Sequence, residues 1–148
     1  MKSIWLYPFI IFAGILQALG VSMNAQLRIS LINPWLASAV SFGPIFVFFT
    51  CACMVMPRPW PTLQMLIDTP WWAPLGGLAG AVAVFAGLTI VDKIGAAPLN
   101  GMIITTNILA SIVIDHFGLL NLPVHQASLG RIMGAIFMVC GIILISKF

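Results

Sequence analysis

The stretch that decides the fold is residues 76–118, GGLAGAVAVFAGLTIVDKIGAAPLNGMIITTNILASIVIDHFG, in which two long apolar runs are separated by DKIG at 92–95. A helix of about 20 residues crosses the roughly 30 Å of bilayer hydrocarbon, so each run is long enough to span a membrane. The four residues between the runs leave room only for a tight turn. The stretch therefore predicts a hairpin of two membrane-spanning helices.

Comparable apolar runs occupy most of the remaining chain and predict an all-α polytopic membrane protein with a single transmembrane domain over 1–148. The expected spans are 4–27, 35–56, 71–91, 94–114 and 127–146. Tryptophans, which favour the headgroup zone, fall at or near their predicted ends; these are Trp5, Trp35, Trp60, Trp71 and Trp72. The first run is longer than the apolar core of a typical signal peptide, so we expect a span there.

Composition excludes several classes of protein. The chain is 61% hydrophobic and 6% charged, whereas soluble domains carry about 25% charged residues. Its Lys and Arg are too sparse for a nucleic-acid surface. No Ser–His–acid set or metal-ligand spacing is present, so we expect neither an enzyme nor a cofactor or metal. The cysteines (Cys51, Cys53, Cys140) lie inside apolar runs and are interpreted as small core residues.

Prolines mark the connections between spans. INPW (32–35) separates the first two spans, and PRPWP (57–61) ends the second. The segment TLQMLID (62–68) that follows is compatible with a short interfacial helix or with a structured loop. Pro44 and Pro98 are expected to kink their spans.

The distribution of positive charge bears on orientation. Five spans place the termini on opposite sides, and Lys and Arg then divide three to three: Lys2, Arg58 and Arg131 against Arg28, Lys93 and Lys147. Orientation normally follows an excess of these residues on the cytoplasmic side. An even division is compatible with insertion in both orientations.

Two helical faces carry polar residues. In the first span Gly14, Gln17, Val21, Asn24 and Arg28 recur every three or four residues, and in the fourth Asn100, Ile104, Asn107, Ser111 and Asp115 do the same, with Thr105 and Thr106 beside them. Polar groups inside a membrane usually face a bundle interior or a wet cavity. Single residues of this kind also serve as hydrogen-bonding contacts between helices. Both faces together favour a shared substrate cavity.

Small residues form a third pattern, and close helix packing, within one protomer or between two, is its expected role. The third span has Gly76, Gly80, Ala83 and Gly87, and the fifth has Gly130, Gly134 and Gly141.

Several stretches occur in an order that resembles a known family: NAQLR (24–28), NPWLASAVSFG (33–43), GGLAGAVAV (76–84), KIGAAP (93–98) and SIVIDHFGLL (111–120). Across almost the whole chain they look like the half-length branch of the drug/metabolite transporter superfamily, the YdcZ-like inner-membrane exporters of bacteria. The resemblance implies a five-helix unit that pairs with an inverted copy. The family usually has glutamine where this chain has Asn107.

Three interpretations of Asp115 and His116 remain open. They could end the fourth span in water and headgroups. Asp115 could pair with an arginine, either Arg131 of its own chain or Arg28 of an inverted partner. Alternatively, Asp115 or His116 could titrate and couple transport to protons. Related small multidrug exporters use a glutamate in the first span, where this chain has only Gln17 and Asn24.

We expect a secondary transporter or exporter of a small solute, working by alternating access as an antiparallel homodimer or with a homologous partner of opposite orientation. Gln17, Asn24, Asn100, Thr106, Asn107 and Ser111 would line the cavity. Arg28, Asp115, Arg131 and His116 would hold the assembly, gate it or couple it to an ion. The alternatives are a dual-topology channel for ions or small solutes and a non-transporting assembly subunit.

Overall fold

A computed structural model describes residues 6–56 and 58–148. Its helices are α1 (Leu6–Leu31), α2 (Pro34–Val55), α3 (Leu63–Ile67), α4 (Gly76–Ile94), α5 (Ala96–Phe117) and α6 (Leu129–Lys147), with 3₁₀ turns at Ala73–Leu75 and Leu119–Asn121. Within the described ranges five helices are long and apolar enough to cross a membrane, namely all of these except α3. The all-helical fold with five such helices agrees with the prediction. Lys2, Trp5 and Pro57 lie outside the described residues.

Three of the long helices, α1, α4 and α5, continue three or four residues past their expected ends. Helix α1 continues to Leu31 and α5 continues to Phe117. Arg28, Asp115 and His116 therefore belong to the last turns of helices. A cation in a last turn interacts favourably with the negative end of the helix dipole, which applies to Arg28.

The chain divides into two compact units, residues 1–89 and 90–148, with the boundary inside α4. In the first unit α1 and α2 form a hairpin across two residues. Asn33 caps α2 because its Oδ1 accepts the N–H groups of Trp35 at 3.0 Å and Leu36 at 3.4 Å. Pro34 occupies the first turn, where a missing N–H costs nothing. The INPW break predicted from the sequence is built in this way.

The connection after α2 contains the short helix α3, so the helical interpretation of residues 62–68 is correct. Thr62 is its N-cap and accepts the N–H of Met65 at 3.3 Å. At the other end Gln64 donates from Nε2 to Asp68 Oδ1 at 2.9 Å.

The second unit is a hairpin of α5 and α6. Gly95 precedes α5 at a φ of 86°, and Gly118 follows it at 60°. Pro98 is the third residue of α5 and not part of the helix interior, so the kink expected there has no basis. Ser128 caps α6 by accepting the N–H of Arg131 at 3.3 Å.

Few apolar side chains are buried within the described chain, and most of those are small. The buried ones are Ala25, Ala37, Leu88, Val91, Leu99 and Ala135. Large side chains such as Phe46 and Phe137 are 74% and 68% exposed. All three cysteines are also exposed, so the sequence-based interpretation of them as core residues was wrong. Surfaces of this kind require lipid or a second protein to cover them.

Candidate functional site

The charged residues of α5 and α6 meet where the two helices join. Arg131 Nη1 lies 3.3 Å from Asp115 Oδ2, and the two side chains are 42% and 33% exposed. Sixteen residues separate them in sequence, and the α5–α6 turn brings them together. The structure thus pairs Asp115 with an arginine of its own chain.

The turn itself is fastened to this pair. The backbone carbonyl of Asp115 accepts the N–H of His125 at 2.8 Å. Arg131 Nη1 also donates to the carbonyl of His125 at 3.3 Å. Asp115 and Arg131 therefore both bind His125 in the turn, Asp115 through the His125 N–H and Arg131 through the His125 carbonyl.

His116 adds a second attachment. Its Nδ1 accepts the N–H of Ala127 at 3.1 Å, so the neutral ring carries its proton on Nε2. The ring also contacts Phe117 edge to face, with centroids 4.8 Å apart. In this arrangement His116 holds the turn just ahead of α6.

Gly118 explains the end of the motif IDHFG. Its φ of 60° belongs to the left-handed region, and its N–H bonds to the carbonyls of Ile114 and Asp115. A Cβ at this position would approach Val124 Cγ2 to 2.7 Å and Leu122 O to 3.3 Å. Only glycine fits both the backbone and the space, so the motif builds the turn that joins Asp115 to Arg131.

A groove of about 500 Å³ runs between α5 and α6 from this ion pair. Its lining combines Asp115, Arg131 and Ser111 with apolar residues and Gly134. Asp115 and Ser111, two members of the polar face predicted on α5, thus share a surface with the arginine. A groove with an apolar wall and a polar end can hold an amphipathic solute.

The remaining predicted polar residues of α5 have different environments. Asn107 and Ser111 are exposed, Asn100 is half-buried, and none of these three side chains hydrogen-bonds to another described residue. Thr106 is exposed but donates its hydroxyl to the carbonyls of Met102 and Ile103, at 2.8 and 3.0 Å. Thr106 therefore retains only acceptor capacity for a ligand.

On α1 the predicted residues also divide. Gln17 is exposed and has no hydrogen-bond partner in the described chain. Asn24 Oδ1 accepts the hydroxyl of Ser41 on α2 at 2.8 Å. This bond matches the helix-contact alternative, and sequence reasoning missed Ser41. The available signal was a serine in the apolar run of the next helix, beyond the short α1–α2 turn from the half-buried amide of Asn24.

The space around each glycine shows where helices of the same chain pack closely together. A Cβ on Gly76, Gly80, Gly134 or Gly141 would meet nothing within 4 Å, whereas Gly87 is buried. Gly101 was not singled out from the sequence, yet a Cβ there would overlap with Ile142 Cδ1. Gly101 is therefore the glycine that lets α5 approach α6.

Apolar helices long enough to span a bilayer, with neutral polar groups along them and the ion pair at a helix end, define a multi-pass membrane protein. The chain belongs to the YdcZ family: the family model described as "Putative inner membrane exporter, YdcZ" matches residues 5–144. It is 27% identical over 84 residues to the inner membrane protein YdcZ of Escherichia coli strain K12, covering 57% of this chain and 56% of that relative. No solved structure matches the chain. The protein is accordingly a multi-pass inner membrane protein of a transporter family.

Proposed function

We propose that this protein exports a small solute by alternating access, as an antiparallel homodimer or with a homologous partner of opposite orientation. The observation that carries the proposal is the exposure of polar side chains on helices suited to lipid. Gln17, Asn107 and Ser111 are exposed without hydrogen-bond partners in the described chain. Because an unsatisfied amide in hydrocarbon costs several kcal/mol (roughly 4–8 on alkane scales), these groups must meet water, substrate or a second protein.

The inverted arrangement is supported by the number of helices and by charge. An odd number of spans places the termini on opposite sides, and the six Lys and Arg divide evenly between those sides. Transporters built from inverted units bind substrate at the interface of the units. The open glycines Gly80 and Gly134 offer surfaces on which a second backbone can pack closely. The Asp115–Arg131 pair is internal, so the dimer does not depend on a bridge from Arg28 to Asp115.

In the proposed assembly the polar faces of α1 and α5 line the substrate path. Asn107, Ser111 and Gln17 supply free donors and acceptors, Asn100 adds another amide, and Asn24 and Thr106 contribute their unused groups. Such a lining suits an uncharged or weakly polar solute. The Asp115–Arg131 pair and His116 keep the end of the α5–α6 hairpin rigid while the two inverted protomers rock against each other.

Topology is the first test. Reporters fused to the C-terminus, one active in the cytoplasm and one active outside it, should both give substantial signal from this single chain. A single orientation would exclude the homodimer and leave only a partner of opposite orientation.

Transport is the second test. Ligand-induced thermal stabilisation of purified protein identifies solutes, and uptake of those solutes into proteoliposomes then measures flux. Asn107→Leu and Ser111→Ala should each lower flux about tenfold, the value of a lost substrate hydrogen bond of about 1.4 kcal/mol. Ser30→Ala is the matched control, because the Ser30 hydroxyl donates to Gln26 of its own helix at 3.0 Å.

Saturable flux that the two variants reduce supports the exporter. Non-saturable flux at channel rates would replace it with the pore alternative. Variants indistinguishable from Ser30→Ala would remove the polar face of α5 from the substrate path.

A further inference from the structure

A cavity of about 320 Å³ lies at the end of α2, within the first unit. It is formed by the last turns of α2 and by residues 58–61. Its described lining is Phe49, Ala52, Cys53 and Met56 from α2, with Arg58, Pro59, Trp60 and Pro61 beyond it. We propose that this cavity binds an anionic phospholipid, with an acyl chain against α2 and the phosphate on Arg58.

The walls of the cavity suit a hydrocarbon chain. Arg58 is the charged residue among the described lining, and no acidic side chain is among them. Because α2 is a membrane-spanning helix, its apolar end faces acyl chains and not water. The volume lies at the lower end of the range in which proteins bind small ligands, enough for part of a chain.

Arg58 supplies the other half of the site. Its side chain is exposed and, within the described residues, forms no hydrogen bond or ion pair. The acid of the same connection, Asp68, accepts from Gln64 at 2.9 Å. A guanidinium binds phosphate through two parallel hydrogen bonds. A zwitterionic headgroup also contains a phosphate, but its ammonium group lies beside that phosphate and repels the guanidinium. An unpaired cation therefore selects an anionic headgroup.

Trp60 places the site at the correct depth. The indole is 82% exposed and stands two residues from Arg58. Exposed tryptophans next to the ends of spans favour the headgroup zone. The phosphate of a phospholipid in the headgroup zone would lie beside Arg58, and the acyl chains of that lipid would extend along α2. The residues that line this cavity are different from those that line the α5–α6 groove.

Native mass spectrometry of the full chain tests the proposal with two lipids that share acyl chains, dioleoyl phosphatidylglycerol and dioleoyl phosphatidylcholine. Phosphatidylglycerol should be retained the more tightly. Arg58→Gln should weaken its retention about tenfold, as expected for losing a charge-assisted contact, and should leave phosphatidylcholine nearly unchanged. Lys147→Gln, which removes one cation from the end of α6, should have no effect on either lipid.

The acyl-chain half is tested by a matched pair of cysteines. Cys53 lines the cavity, whereas Cys51 is exposed on the same helix and does not. Cys53→Phe should weaken binding of both lipids, and Cys51→Phe should weaken neither. Because both side chains are exposed, neither change compresses a core. Glycerol 3-phosphate without chains should displace phosphatidylglycerol only at much higher concentration.

Equal retention of the two lipids by the wild-type protein would overturn the proposal. So would an Arg58→Gln effect no larger than that of Lys147→Gln. Displacement by free glycerol 3-phosphate at concentrations similar to the lipid would show a phosphate site and not a lipid site. Phosphatidylglycerol adducts that disappear only when the dimer forms would assign the cavity to a second copy.

Discussion

The hairpins α1–α2 and α5–α6 use different chemistry to hold two membrane helices together. The first has a neutral bond, from the Ser41 hydroxyl to Asn24 Oδ1. The second has an ion pair, Asp115 with Arg131, at the end of the helices. A charge inside hydrocarbon is expensive, whereas at a helix end it can keep contact with water. The neutral bond lies within α1 and α2, whereas the ion pair joins the last turn of α5 to the first turn of α6.

The turns differ in the same way. The α1–α2 turn is short and is fixed by one cap, Asn33. The α5–α6 turn is longer, and its attachments to Asp115, His116 and Arg131 reach across it. A long connection needs such cross-links because each free residue costs about 1–2 kcal/mol of conformational entropy to order.

The largest predicted loss of stability is at the α5–α6 turn. Gly118→Ala should destabilise the protein by about 2 kcal/mol, because the left-handed backbone and the contact with Val124 Cγ2 both oppose a Cβ. Unfolding by SDS in mixed detergent micelles measures this. Gly43→Ala is the control, since a Cβ there meets nothing within 4 Å. Equal stability of the two variants would mean that the turn does not need glycine.

The next effect is at the α5–α6 contact. Gly101→Ala should cost about 1–2 kcal/mol, because the side chain of Ile142 must move away from the new Cβ. The same unfolding assay applies, with Gly134→Ala as the matched control on the facing helix. Gly134→Ala should leave the stability of the separate chain unchanged.

If the open glycines contact a second copy, Gly134→Leu should lower the dimer fraction seen by cross-linking without changing the unfolding midpoint of the monomer. Loss of monomer stability in this variant would instead assign Gly134 to packing within the chain.

Removal of the ion pair should have a smaller effect. Arg131→Gln should cost about 1 kcal/mol, since both side chains are partly exposed and such pairs contribute little. The exchange of charges, Asp115→Arg with Arg131→Asp, should recover part of that loss. If the exchanged protein is no better than the single variants, the attachment of Arg131 to the His125 carbonyl is the more important contact.

The smallest effect belongs to the first hairpin. A double-mutant cycle of Asn24→Ala and Ser41→Ala should give a coupling of about 0.6 kcal/mol, the average for hydrogen bonds between membrane helices. A coupling near zero would show that water or another group replaces the bond. A value above that of the ion pair would reverse the ranking of the two hairpins.

Periodicity and composition predict much of this fold. Long apolar runs interrupted by prolines and by DKIG identify the five candidate spans, because helix length must match the bilayer. Helix ends were less predictable: Leu31 and Phe117 continue helices whose apolar character has already faded. Hydropathy decreases gradually at the boundary, whereas a helix ends only where a cap or a left-handed residue stops it.

The sequence predicted which residues belong to the candidate site, but not which residues of other helices they contact. Sequence spacing selected Ser111 and Asp115 on one face of α5, because helical period alone places them there. It did not decide between Arg131 and Arg28 as the partner of Asp115, and it did not identify Ser41 or Gly101. Contacts between helices depend on crossing geometry and on turn conformation, which involve residues far apart in the chain.

What the sequence by itself determined is the solvent of this protein and the number of its candidate spans, since both follow from the free energy of transferring side chains into lipid. What only the tertiary structure decided is which polar groups satisfy one another. Asp115 binds Arg131 because Gly118 turns the chain back at that point, and Asn24 binds Ser41 because a two-residue turn aligns α1 with α2. Directional bonds require positions in space, and only the folded chain supplies them.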